Sequence, residues 1–132
     1  MNSYLTRKNL HLVISVLIVI PAAFIYGLYP GELLPVFLDI ESYPIDLRNV
    51  FRAIMCLYLG MASIWILGIL KPEYWKFSTL LVIVFMGSLG LGRLISIVFD
   101  GQPSNVFVLG IFGELFLAAF SFWQLRIYKL KG

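Results

Sequence analysis

Charge is what this chain has least of. Ten basic and seven acidic residues make up only 13% of 132, where a soluble domain carries about 25%. With 61% of the residues apolar, no domain of this size could bury its apolar surface away from water, so the solvent is read as lipid. The basic excess of +3 comes with no basic face, zinc spacing or aromatic RNA motif, which excludes nucleic-acid binding. A single cysteine, Cys56, excludes an intramolecular disulfide and a cysteine-based metal site. A single histidine, His11, excludes bis-histidine haem ligation within one chain, and no Ser/His/Asp set can be argued from it. Gly87, Gly90 and Gly92 are followed by neither a strand–helix unit nor a Lys-Ser/Thr pair, so no phosphate-cradling loop is present. Low-complexity segments and internal repeats are also missing.

What remains is four long apolar runs. Each can cross the roughly 30 Å hydrocarbon core as a helix. The expected spans are about 10–29, 47–70, 77–99 and 106–127. The first follows Arg7-Lys8, as a signal peptide would, but it is longer than a usual signal core and no small-x-small site follows it. It is therefore read as a retained span, kinked at Pro21. Residues 30–46 carry three prolines (Pro30, Pro35, Pro44), apolar Leu33, Leu34, Val36, Phe37 and Leu38, and acidic Glu32, Asp39 and Glu41. That mixture predicts a short interfacial helix or coil over the outer mouth, with Asp46 as N-cap of the second span. Gly60 and Ala62 on the second span, and Gly110 and Gly113 on the fourth, are small enough to draw neighbouring helices close.

Sidedness follows from the bases. Arg7 and Lys8, then Lys71 and Lys76, then Arg126, Lys129 and Lys131 all fall on one side if the chain crosses four times. Short loops rich in Lys and Arg stay in the cytoplasm. The other side holds Glu32, Asp39, Glu41, Asp46 and Asp100 against Arg48. The expected fold is an all-α, up-down four-helix membrane bundle forming one domain, with both termini cytoplasmic.

Against this apolar background three charges stand well inside the spans: Arg52, Arg93 and Glu114. A charge near mid-bilayer costs about 2.5–3.5 kcal/mol on insertion scales, so each needs a partner or a wet cavity. From the ends of their spans, Arg52 and Arg93 lie about 8–10 Å deep and Glu114 about 12 Å deep, all on the outer side. The expectation is that the three meet. Asp100, Asn49, Arg48 and Ser96 share their helix faces and complete the candidate cluster. Two arginines against one glutamate leave a positive charge, and Arg suits carboxylate and phosphate. The cluster is either structural glue or the seat of an anionic lipid, quinone or small-metabolite headgroup. His11 reads as an interfacial polar residue, and Cys56 as a buried, inert thiol. Phe99 and Phe107 flank the outer turn, facing either the mouth or lipid.

Several of these residues carry a resemblance. Asp46-Leu-Arg-Asn-Val-Phe-Arg-Ala53, Tyr58-Leu-Gly60, Gly92-Arg-Leu-Ile-Ser96, Asp100-Gly-Gln-Pro-Ser104 and Glu114 resemble the bacterial family DUF4345, small four-helix membrane proteins. The resemblance covers nearly the whole chain. It implies that Arg52, Arg93, Asp100, Glu114 and Asn49 belong to the family pattern, and that the protein sits in the bacterial inner membrane. The layout is also similar to DoxX-like proteins, which implies a link to quinone-coupled oxidation by analogy of fold. Three roles follow as expectations. The first is a non-enzymatic binding or accessory protein holding a lipid or quinone. The second is a small subunit or assembly factor of a larger membrane complex; a homo-oligomer is a separate assembly state open to the chain. The third is a DoxX-like oxidoreductase component. The partners expected in every case are membrane lipids; no metal and no resident cofactor is expected.

Overall fold

A computed structural model describes residues 6–38 and 44–131. Five helices account for nearly all of them, and no strand occurs among the described residues. Helix α1 spans Leu10–Gly27 after a 3-10 turn at Arg7–Asn9. Helix α2 spans Pro30–Leu38, α3 Ile45–Leu70, α4 Trp75–Asp100 and α5 Asn105–Lys131, with a second 3-10 turn at Pro72–Tyr74 before α4. Four helices are long and apolar enough to cross a membrane: Arg7–Gly27, Ile45–Leu70, Pro72–Asp100 and Asn105–Tyr128. In lipid a helix is the local way to pair every backbone N–H and C=O, which is why these runs fold as they do.

Helix ends fall where local chemistry stops them. Gly101, at φ 97°, closes α4 in a conformation that residues with side chains rarely adopt, and its N–H donates to the Ile97 carbonyl at 3.1 Å. Pro72 ends α3 by forcing Lys71 into extended backbone. The expected N-cap on α3 is corrected: the cap is Pro44, and Asp46 lies inside the first turn without a capping hydrogen bond. There its carboxylate still opposes the positive end of the helix dipole. Helix α1 continues through Pro21, whose ring faces outward. Residues 30–38 form a helix despite Pro35, and Leu34 is fully buried beneath it. Asp39 and Glu41 lie outside the described residues.

Packing is uneven. Helix α1 lies chiefly against α3, and α4 chiefly against α5; the α3–α4 interface is thinner. Leu12, Val19, Ala23, Ala62, Trp65, Val82, Met86 and Leu117 form the continuous core. Close approach depends on three glycines. A Cβ on Gly27 would meet Met55, one on Gly68 would meet Ser78, and one on Gly90 would lie 2.6 Å from Leu115 Cδ2. Two of the expected close-approach positions are different in kind: a Cβ added at Gly60 or Gly113 would meet nothing within 4 Å, and both glycines face outward.

Candidate functional site

The site is assembled at the end of the helices away from the termini. Arg93 on α4 reaches Glu114 on α5, with Nε donating to Oε1 at 2.9 Å and to Oε2 at 3.0 Å. Both bonds come from Nε, so the terminal NH2 groups remain for other acceptors. The two side chains are 23% and 14% exposed, enough to be reached. Phe107 lies under the guanidinium, 5.3 Å from ring centroid to Cζ. Gly110 borders the pair, and a Cβ there would rest in ordinary van der Waals contact, 3.9 Å from both Arg93 Nε and Glu114 Oε1.

Tyr26 on α1 completes the setting, within electrostatic and hydrogen-bonding reach of Arg93. Its ring stacks on Phe51 at 5.7 Å and meets the edge of Tyr58 at 5.7 Å. Tyr26, Arg93 and Phe107 together wall off two cavities. One, of about 430 Å³, lies between α3 and α4 and adds Tyr58, Ser88 and Ser96. The other, of about 280 Å³, holds Glu114 and is bordered by Leu38 of α2.

The first cavity does not end at Arg93. It shares Ile54, Tyr58, Ser88 and Leu89 with a groove of about 400 Å³ that runs on between α3 and α4. Leu57, Met61, Leu81, Val84 and Phe85 line that continuation, and its wall is almost wholly apolar. Beside their connecting turn α3 and α4 approach closely, where Gly68 receives Ser78. Farther along, the ring of Phe85 bridges the pair, meeting Trp65 at 5.3 Å and Tyr58 at 5.1 Å.

Several expectations need correction here. Arg52 does not join the pair: its Nη1 donates to the Gly27 carbonyl at 3.2 Å and reaches the Leu28 carbonyl at 3.5 Å. It therefore answers unpaired carbonyls at the end of α1. Arg48 and Asn49 are exposed and line neither cavity. Asp100 is also exposed and accepts from Ser96 Oγ at 2.9 Å, one turn back along the same helix. Of the seven residues in the expected cluster, Arg93 and Glu114 meet, and Ser96 lines the α3–α4 cavity beside Arg93. Cys56 is exposed rather than buried. Phe107 faces the mouth, whereas Phe99 is 81% exposed. Tyr26 carries no expectation from sequence, and Tyr58 enters there only through the resemblance, with no role at the site.

A second polar region lies near the termini, and sequence reasoning missed it. His11 is not interfacial: it is 0% exposed, between the edges of Trp75 and Phe120. Its Nε2 sits 2.8 Å from Thr79 Oγ1, and Thr79 in turn donates to the Trp75 carbonyl at 2.8 Å. That uses the one hydroxyl proton, so His11 Nε2–H is the donor, and Nδ1 carries the ring's lone pair with no hydrogen-bond partner among the described residues. Ser15 donates to the His11 carbonyl at 2.7 Å and Ser78 to the Ile64 carbonyl at 2.7 Å. Gln124 donates to the Arg7 carbonyl, and Trp75 Nε1 to the Lys8 carbonyl at 3.1 Å. These bonds bring the start of α1, the α3–α4 turn and the end of α5 to one end of the molecule.

Four apolar helices of spanning length are the pattern of a helical membrane protein, and they carry a half-buried ion pair beside an apolar groove. The family model described as Domain of unknown function (DUF4345) matches residues 8–125, and the chain belongs to that family. No curated protein and no solved structure matches the chain.

Proposed function

We propose that this protein is a membrane-embedded binding protein for an amphipathic lipid. The lipid's polar end rests on Arg93, and its apolar chain lies in the groove between α3 and α4. One observation carries the reading: an apolar groove of about 400 Å³ continues into a cavity whose polar end is a guanidinium that Glu114 holds through Nε alone. Volumes of this size are typical of small-molecule sites. Tyr58, Ser88 and Ser96 supply further hydroxyls at the polar end. In a bilayer the groove opens sideways to lipid, so a ligand enters without leaving the membrane. The basic ends at Arg7-Lys8, Lys71 and Arg126 support a cytoplasmic placement of that side, and Arg93 then falls in the outer half.

The test is native mass spectrometry of gently extracted wild type beside Arg93→Met, with both shown to be folded by circular dichroism. A lipid-sized mass on wild type, lost in the variant, is the expected result. Bare protein in both samples would overturn the reading and return the ion pair to structural glue. A second reading, a small subunit of a larger complex, draws on Gly60, Gly92 and Gly113, which face outward with open space around them. Crosslinking in native membranes would then trap a stoichiometric partner.

A further inference from the structure

We infer that the groove selects lipids whose polar end is uncharged and accepts hydrogen bonds, and that it discriminates against anionic headgroups. This selectivity rests on the lipid-binding reading and adds the headgroup class to it.

Charge placement decides the matter. Two arginines converging on one glutamate would leave a net positive pocket. Arg52 instead donates to the Gly27 and Leu28 carbonyls and lines neither cavity. Arg93 is then the one cationic side chain on the α3–α4 cavity among the described residues, and Glu114 neutralises it at 2.9 Å. A phosphate placed on the terminal NH2 groups would face the Glu114 carboxylate across the width of a single guanidinium. In a lipid environment that repulsion is poorly screened. A carbonyl or hydroxyl oxygen accepts from the same NH2 groups without it.

The surroundings do not restore a positive field. At this end of the molecule Glu32, Asp46 and Asp100 stand, all exposed, against Arg48 and Arg52. The N-terminal ends of α3 and α5 are offset by the C-terminal ends of α1 and α4, so the helix dipoles largely cancel. The remaining polar groups of the cavity, Tyr26, Tyr58, Ser88 and Ser96, are neutral hydroxyls, suited to a neutral headgroup.

The experiment presents purified protein in neutral detergent with an equimolar mixture of diacylglycerol and phosphatidylglycerol bearing the same acyl chains. Bound masses are read by native mass spectrometry. Wild type is expected to retain diacylglycerol over phosphatidylglycerol. Glu114→Gln, which unmasks Arg93, is expected to shift the ratio toward phosphatidylglycerol by roughly tenfold or more, the scale of one close unit charge removed. Arg52→Gln, on an exposed side chain, should leave the ratio unchanged; this arm stands even if Glu114→Gln fails to fold. Wild type preferring phosphatidylglycerol, or a ratio that moves with Arg52→Gln, overturns the inference. If that preference is still lost in Arg93→Met, the groove reading survives and only the headgroup class falls. If neither lipid binds in an Arg93-dependent way, the groove reading itself falls.

Discussion

The two polar regions of this molecule use opposite means. Near the termini, His11, Ser15, Ser78, Thr79 and Gln124 are buried and formally neutral side chains, and most of their bonds end on backbone carbonyls. At the other end, Arg93 and Glu114 form an ion pair, half-buried and bordered by cavities. Between them Val19, Val82, Met86 and Leu117 form a dry layer. Neutral hydroxyl and imidazole groups can be enclosed at little cost once hydrogen-bonded, so they join helices. Charges in lipid need a polar outlet, so they mark where a ligand can be met. The polar end near the termini holds the helices in place; the charged end is left open.

That contrast can be broken experimentally. The largest effect is expected at His11. His11→Ala leaves a cavity and strips Thr79 of its partner, costing about 3 kcal/mol in detergent unfolding experiments. Lipid retention in the folded fraction should persist; a variant of normal stability that no longer binds would erase the division of labour. Next comes Gly68→Val, which drives a branched side chain into Ser78. A loss of about 2 kcal/mol is expected, from overpacking. Arg93→Met should cost less, about 1–2 kcal/mol, because the pair is partly exposed and a fully buried pair costs about 3–5 kcal/mol when broken. Its signature is loss of the bound lipid, so a melting shift without that loss would make the ion pair a strut. Arg52→Gln gives up carbonyl bonds at the surface and should cost below about 1 kcal/mol, with binding intact. Smallest are Gly60→Ala and Gly113→Ala, expected within about 0.5 kcal/mol in thermal scans.

The helices were legible because each is one long apolar run closed by prolines, glycines or charge clusters, and the observed ends differ from the expected ones by a few residues. The Arg93–Glu114 pair was legible too, since residue counts convert to depth. Depth, however, says nothing about which way a side chain turns around its helix axis. Arg52 lies at the right height on the wrong side, where α1's last carbonyls compete for it. His11 was obscured by its neighbours: beside Arg7 and Lys8 it looks interfacial, and its partner Thr79 is 68 residues away. The packing glycines were misjudged for the same rotational reason. Gly68 and Gly27 close the helices together, while Gly60 and Gly113 look outward.

The contact of Gly68 with Ser78 also makes the α3–α4 pair a lever with its fulcrum at the turn. From Gly68 to Ile54 the arm is about 21 Å long. A tilt of about 5° at the fulcrum therefore swings the far end by roughly 2 Å, a large fraction of a methylene chain's width. The width of the groove is thus governed from its narrow end, by whatever sits between a missing Cβ and a serine hydroxyl.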